Sequence, residues 1–435
     1  MKNEYKSGSL SLLGAIAMGT GVMIGAGIFA LTGQVAELAG ALFPFAFLAA
    51  AIISGFSAYS YIKMSNAYPS AGGIAMYLKK AYGRSTMTGV CALLMAFSMI
   101  INESLVGRTF GTYTLQLFNV GENSYWVPIL AVGLIAVAFL INISGNKIIG
   151  SLSQVTAFLK IGGIIVFAAV TLWAAGFSFK PDFGAGSSEV IPGSGFMAGV
   201  AIAILAYKGF TTITNSGGEV KNPEKNVGRA IIASLAICVV VYLLVAFAVA
   251  SSLPLAQIVE AKNFALAEAA KPALGQYGVW FTVAIAIIAT ASGIIASVFA
   301  VSRMLAMLSE MEIIPHRHFG MPGDIQKHTL VYTVVLAAAL AAFFDLTRIA
   351  SLGAIFYLLV DIAIHWGVFR NQKNDINVNG AIVMTALVLD IIVLGAMTIL
   401  KGSSDPMLLV IAAIGLLLTF LGERFFLKNH QMARE

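Results

Sequence analysis

Charge is what this chain has least of. Only 11% of its 435 residues are Asp, Glu, Lys or Arg, against about 25% in an ordinary soluble domain. So low a fraction excludes a protein that turns most of its surface to water. Cysteine is nearly absent as well: Cys91 and Cys238 are the whole set, and each sits inside an apolar run. That excludes a disulfide framework and a thiolate metal site, leaving two small core residues. Histidine is scarce and scattered, with His316, His318 and His328 in one stretch, His365 alone and His430 near the end. No HExxH pair occurs, and neither a GxGxxG loop nor a P-loop is present, so intramembrane metalloprotease chemistry and nucleotide binding lack their usual signatures. The net charge of +6 does not indicate nucleic acid, because the basic residues are spread over short loops rather than gathered in a stripe.

What the sequence has in quantity is apolar length. Hydrophobic residues make up 59% of the chain, and the mean hydropathy is +0.90. A helix needs about 20 apolar residues to cross a bilayer. Twelve runs meet that need: 10–40, 42–66, 86–118, 125–144, 149–176, 194–217, 228–252, 276–307, 329–344, 347–369, 380–400 and 406–426. No hydrophilic stretch between them could fold as a separate domain. Lys2 and Lys6 ahead of the first run imitate a signal peptide, but the run is too long and leads into further spans, so a retained first helix is expected. With the N-terminus inside, 18 Lys/Arg fall on the inner side, five outside (Lys180, Lys262, Lys271, Arg348, Lys401) and three within spans (Arg108, Lys160, Lys208). The positive-inside rule therefore predicts both termini in the cytoplasm and a multi-pass protein of the cytoplasmic membrane.

Two spans contain helix-breaking sequence. The first holds Gly19, Gly21, Gly25 and Gly27, each costing close to 1 kcal/mol in a helix interior. The sixth places Gly209 beside Lys208, followed by Thr211, Thr212, Thr214 and Asn215. Irregular backbone at membrane depth is tolerated only in a cavity or buried in protein. Interrupted spans in corresponding positions of two repeated halves are the best sequence pointer to a transporter's binding site. Five spans separate them, an odd number, so the second unit would run inverted. A plainer reading stands beside this one: Gly21 and Gly25 form a GxxxG pair, which usually serves close helix packing.

Three motifs together carry a family resemblance. Gly21-Val-Met-Ile-Gly-Ala-Gly-Ile-Phe29 resembles the first-helix signature of the amino acid–polyamine–organocation transporters. Pro69-Ser-Ala-Gly-Gly73, with its amphipathic continuation from Tyr77 to Tyr82, is similar to the segment after the second helix. Ala206-Tyr-Lys-Gly-Phe210, followed by Gly218-Glu-Val-Lys-Asn-Pro223, resembles the sixth helix and its loop. The resemblance implies an all-α membrane fold of twelve helices, in two inverted five-helix repeats plus two C-terminal helices, with helices one and six broken mid-membrane. The units would be residues 1–180, 181–375 and 376–435. It also implies that amides at Gly25, Ala26 and Gly27, between Ile24 and Ile28, take a substrate carboxylate. Carbonyls near Ala206 and Tyr207, beside Gly209, would take its amine. Helix ends suit those two charges: free N–H groups are positive, free C=O groups negative.

Charged residues inside the spans supply the remaining candidates. Lys160, in Thr156-Ala-Phe-Leu-Lys-Ile-Gly-Gly163, costs about 2.5–3.5 kcal/mol at mid-span and marks function by default. The resemblance implies that its ammonium stands where sodium-coupled relatives hold their ion, so Lys160 is expected to exchange a proton. The alternative is a lysine snorkelling to the inner interface. Lys208 and Glu103 depart from the family pattern, and they are expected to face one another across the pocket. The competing pair is Glu103 with Arg108. Asp361 and His365, four residues apart on one helix face, would extend a proton path or hold structural contacts equally well. Asp390 lies outside the expected core and reads as structural. Glu219, at the inner end of helix six, is expected to anchor the adjoining loop.

The expectation that follows is a secondary active transporter, not an enzyme. It would carry amino acids, small neutral or acidic ones, by proton symport, with an exchanger or a transporter-derived sensor as alternatives. A channel would need a repeated filter or a ring of charges. The partners expected are the small-molecule substrate and the lipid bilayer, with no nucleic acid and no cofactor beyond the coupling proton.

Overall fold

The computed structural model describes residues 8–70, 72–118, 124–144, 146–177, 193–314 and 325–432, but not the side chains of Ala26, 144–155 and 427–432. The expected boundary between 180 and 181, and His316 and His318, lie outside the described residues. Among the described residues the chain is helical throughout, with a single parallel bridge between Leu10 and Val220.

Among the described residues eleven helices are long and apolar enough to cross a membrane, but one of them, Ile28–Ala67, runs for 40 residues. At 1.5 Å per residue that is about 60 Å, twice the roughly 30 Å of a hydrocarbon core. Gly40 resolves this: its φ of +58° turns the chain between Ala39 and Phe43 in a conformation that side chains resist. The half after Ala39 is therefore a second crossing, and the half before it completes the helix begun at Leu12. Twelve crossings result, as expected.

They are Leu12–Val22 continued through Met23–Gly27 and Ile28–Ala39, then Phe43–Ala67, Thr86–Leu115, Trp126–Ser144 and Asn146–Ala174. The sixth is Gly193–Tyr207 continued through Lys208–Phe210 and Thr211–Asn215. The others are Pro223–Ser252, Lys271–Glu310, Ile325–Phe343, Leu346–Gly367, Gly380–Ser404 and Pro406–Met432. Several run past the apolar stretch that betrayed them, the seventh by starting at Pro223 rather than 228. Helical hydrogen bonding continues into the interface, where charged residues are cheap. Gly73–Tyr82 forms the amphipathic helix after the second span.

Burial sorts these spans into a core and a rim. The third and sixth are 83% and 89% buried, whereas the twelfth is 22% buried. Leu416, Leu417 and Leu418 on the twelfth stand exposed, as suits a lipid-facing helix. The first and sixth spans cross against the second, seventh and eighth, and the third packs on the eighth and tenth.

Candidate functional site

Both interrupted spans change winding where the glycines fall, but neither unwinds. Met23–Gly27 is a π-helical turn and Lys208–Phe210 a 3₁₀ turn, with helical dihedrals throughout. The interruptions expected in helices one and six take this form: a wide turn in one and a tight turn in the other, with the helix continuing on both sides. Such π turns recur at functional sites.

Side chains bond carbonyls at and beside these turns. The Lys160 ammonium, 2% exposed, donates to the Gly21 carbonyl at 2.6 Å and to Ser292 Oγ at 3.1 Å. It ties the fifth span to the first and the eighth. The plainer reading of a lysine reaching the inner interface does not hold, because its partners lie in the protein interior. The Tyr242 hydroxyl, from the seventh span, stands 2.5 Å from the Met23 carbonyl and 3.2 Å from that of Ala206. It has one proton to give, so it bridges the two interrupted spans with Met23 as the closer acceptor.

Where the two turns cross there is a small, partly open crevice. Gly27, Ala206, Lys208 and Gly209 line it, along with Val22, Met23, Thr211, Thr212, Met99, Asn102 and Ser297. The glycines allow the approach: a Cβ on Gly27 would lie 3.0 Å from the Ala206 Cα, and one on Gly209 2.8 Å from the Met23 nitrogen. Ile24, Gly25, Ile28 and Tyr207 are buried beside the crevice without lining it, and the side chain of Ala26 lies outside the description. Gly25 instead faces Gly293 of the eighth span, its missing Cβ 3.3 Å from the Gly293 Cα. Tyr207 turns to the second span, its hydroxyl 3.3 Å from the Phe47 carbonyl.

Lys208 and Glu103 are not an ion pair, against expectation. The Lys208 ammonium donates to the Ser98 carbonyl at 3.0 Å and to Ser98 Oγ at 2.9 Å, and lies over the Tyr357 ring at 5.6 Å. Two neutral acceptors and an aromatic face hold the cation without a carboxylate. Glu103, fully buried, accepts only from Ser297 Oγ, at 3.2 Å, and its Oε2 has no partner. The alternative pair fails too, since Arg108 donates to the Ala341 carbonyl at 2.8 Å.

Glu219 pairs with Arg303 toward the C-terminal end of the eighth span. Its carbonyl accepts from the Leu10 nitrogen at 2.9 Å, and the Leu10 carbonyl from the Lys221 nitrogen at 2.8 Å. The loop after the sixth span is thus fastened to the N-terminal segment and to the eighth span.

Sequence reasoning missed Tyr242, Ser292, Ser297, Asn102 and Ser98. A polar stripe was visible in the eighth span, Thr290, Ser292, Gly293 and Ser297 in an otherwise apolar run. Tyr242 gave no signal, being one tyrosine among thirteen.

The sequence profile of the amino acid permeases matches residues 10–421. The chain is 30% identical to an uncharacterized protein of Methanocaldococcus jannaschii over 359 residues, covering 82% of this chain and 81% of that protein. It is 28% identical to the inner membrane transport protein YbaT of Escherichia coli over 403 residues, 91% of each. With the branched-chain amino acid permease BcaP of Lactococcus lactis it shares 26% over 392 residues, 83% of this chain and 82% of the other. Twelve membrane crossings, two rewound helices meeting at a crevice and a match across nearly the whole chain have one meaning: the protein belongs to the amino acid permease family, a multi-pass membrane transporter of amino acids.

Proposed function

We propose that the chain carries small neutral amino acids across the cytoplasmic membrane by alternating access, with a proton as coupling ion and Lys160 as the group that exchanges it. One observation carries this reading: a buried ammonium, 2.6 Å from the Gly21 carbonyl and 3.1 Å from Ser292 Oγ, holds three spans together beside the rewound turn of the first. A charge-assisted hydrogen bond contributes about 1.5–3 kcal/mol. Loss of the proton removes that contribution and loosens the first span from the fifth and eighth. Coupling needs such an element, one whose two arrangements differ in their affinity for a proton.

The crevice supports the substrate class. Its polar wall is made of Asn102, Thr211, Thr212 and Ser297, and its one ionisable lining residue is Lys208, whose ammonium turns behind the wall to Ser98. That arrangement accepts a short neutral side chain and repels a cationic one. The substrate carboxylate would sit at the first-span turn beside Gly27, the glycine of that turn that lines the crevice. Its ammonium would displace the longer Tyr242 contact, at Ala206, leaving Met23 served. Alternating access would rock two inverted repeats, with both termini inside. Packing of the second span on the seventh and of the third on the eighth, each pair five spans apart, is consistent with that repeat.

The test is uptake of labelled amino acids into proteoliposomes with and without a pH gradient, comparing wild type with Lys160→Ala. The variant should lose gradient-driven accumulation. If it concentrates substrate at the wild-type rate, Lys160 is not the coupling group. Accumulation that needs unlabelled amino acid inside, and ignores the gradient, would identify obligatory exchange.

A further inference from the structure

Where the tenth and eleventh spans pack, three ionisable side chains other than Lys160 meet out of reach of water. Asp361 and His365 lie on the tenth span and Asp390 on the eleventh, each with 0% exposure. The His365 Nε2 stands 3.2 Å from Asp390 Oδ2 and 4.0 Å from Asp361 Oδ2. The fold thus adds Asp390, which reads as structural in sequence, to the pair that shares a helix face.

The second span supplies the surrounding hydroxyls. Ser57 Oγ donates to Asp361 Oδ2 at 2.7 Å, the Tyr61 hydroxyl donates to Oδ1, and Ser60 Oγ lies 2.9 Å from His365 Nδ1. Asp361 is thereby solvated as a carboxylate. Asp390 is not: neither of its oxygens takes part in a well-formed hydrogen bond, and His365 Nε2 makes none either. The other groups facing the cluster are Tyr357 of the tenth span, beside Asp361 and Ser57, and Lys208 of the sixth, within electrostatic range of Asp361. Glu103 of the third span is within electrostatic range of Lys208, though the two side chains turn to different serines.

We propose that Asp361, His365 and Asp390 form a buried proton-holding site, separate from Lys160, that gains and releases one proton as the transporter works. Two carboxylates so close together, in a low dielectric, cannot both stay ionised beside a single imidazole without a large cost. An unpartnered buried carboxylate is the member that gains most from a proton, because a carboxyl O–H can then donate to the imidazole. Protons of such a cluster belong to the group as a whole. Loading makes one O–H bond, with the proton drawn from water through the hydroxyls of Ser57, Ser60 and Tyr61, and unloading breaks it. A metal ion fits less well. Tetrahedral ligation at about 2.0–2.1 Å draws ligand atoms to roughly 3.3 Å apart, and here one of the two measured separations, 4.0 Å, is clearly wider. The inference rests on the transport reading only for the proton's part in the cycle; occupancy itself does not.

The experiment is infrared difference spectroscopy of the full chain in lipid, between alkaline and acidic buffer, following the carbonyl stretch of a protonated carboxyl. Wild type should gain a band on acidification. Asp390→Asn should abolish it, His365→Gln should shift it, and Glu103→Gln should leave it. If Asp390→Asn does not fold, Asp361→Asn and His365→Gln give the same readout. No titrating band in wild type, or a band that survives unchanged in both Asp variants, overturns the proposal. So does a band that appears only after a chelator strips the sample, because a metal then holds the site. The spectra require no transport, so they can fail while the Lys160→Ala assay succeeds, or the reverse.

Discussion

The Tyr242 hydroxyl lies 2.5 Å from the carbonyl oxygen of Met23, the first residue of the π turn in the first span. A side chain from the seventh span thus bonds the carbonyl at the start of the rewound turn. Tyr242→Phe keeps the ring, which packs on Tyr207 with centroids 5.0 Å apart, and removes only the donor. Loss of one such hydrogen bond costs about 0.5–1.5 kcal/mol. The melting temperature should fall and uptake should slow in the same variant. Unchanged values for both would mean that water replaces the hydroxyl and that the bridge is incidental.

A double-mutant cycle on Lys208 and Glu103 should show little coupling. Their side chains have no partner in common, with Ser98 holding one and Ser297 the other. The combined loss in Glu103→Gln/Lys208→Met should match the sum of the single losses to within about 1 kcal/mol, rather than recovering the 3–5 kcal/mol of a broken buried pair. Thermal or denaturant unfolding in detergent measures it.

Gly25 and Gly27 should respond differently to one added methyl group. At Gly25 the new carbon meets the Gly293 Cα at 3.3 Å; at Gly27 it meets the Ala206 Cα at 3.0 Å and the Tyr242 hydroxyl at 3.1 Å. Overpacking costs about 1–3 kcal/mol, and the tighter site should pay more. Gly27→Ala should therefore lose more stability and more transport than Gly25→Ala. Gly25→Val would force the first and eighth spans apart, so its effect should appear in the melting temperature and not in substrate binding alone. Equal melting temperatures for the two alanine variants would contradict this ordering.

Glu219→Gln should uncouple the loop after the sixth span from the eighth. Its partner Arg303 has a side chain only 6% exposed, whereas that of Glu219 is 20% exposed. The cost should therefore be about 1–3 kcal/mol, below the value for a fully buried pair. Because Leu10 bonds the same loop, limited proteolysis should cut the N-terminal segment faster in the variant. An unaltered cleavage rate would show that the backbone bridge at Leu10 holds without the ion pair.

Much of this architecture was written in local sequence. The twelve crossings follow from apolar length, because a bilayer asks each segment separately for about 20 residues. The rewound turns follow from glycine, because its helix penalty is local. Lys160 follows from cost, because a lysine at mid-span needs a reason wherever its neighbours lie. What each charge touches was not legible, because partners come from other spans. Lys208 is held by Ser98, one hundred and ten residues away in sequence, rather than by Glu103. Asp390, unremarkable on its own helix, joins Asp361 and His365 only because the tenth and eleventh spans pack side by side. The Gly25 to Gly27 segment looked like one binding turn. Tertiary packing divided it, giving Gly25 to the eighth span and Gly27 to the crevice. Sequence fixes where a helix must lie and where it is weak, since those are energies of one segment in one solvent. Which neighbour satisfies each exposed group is a property of the packing, and only the folded chain decides it.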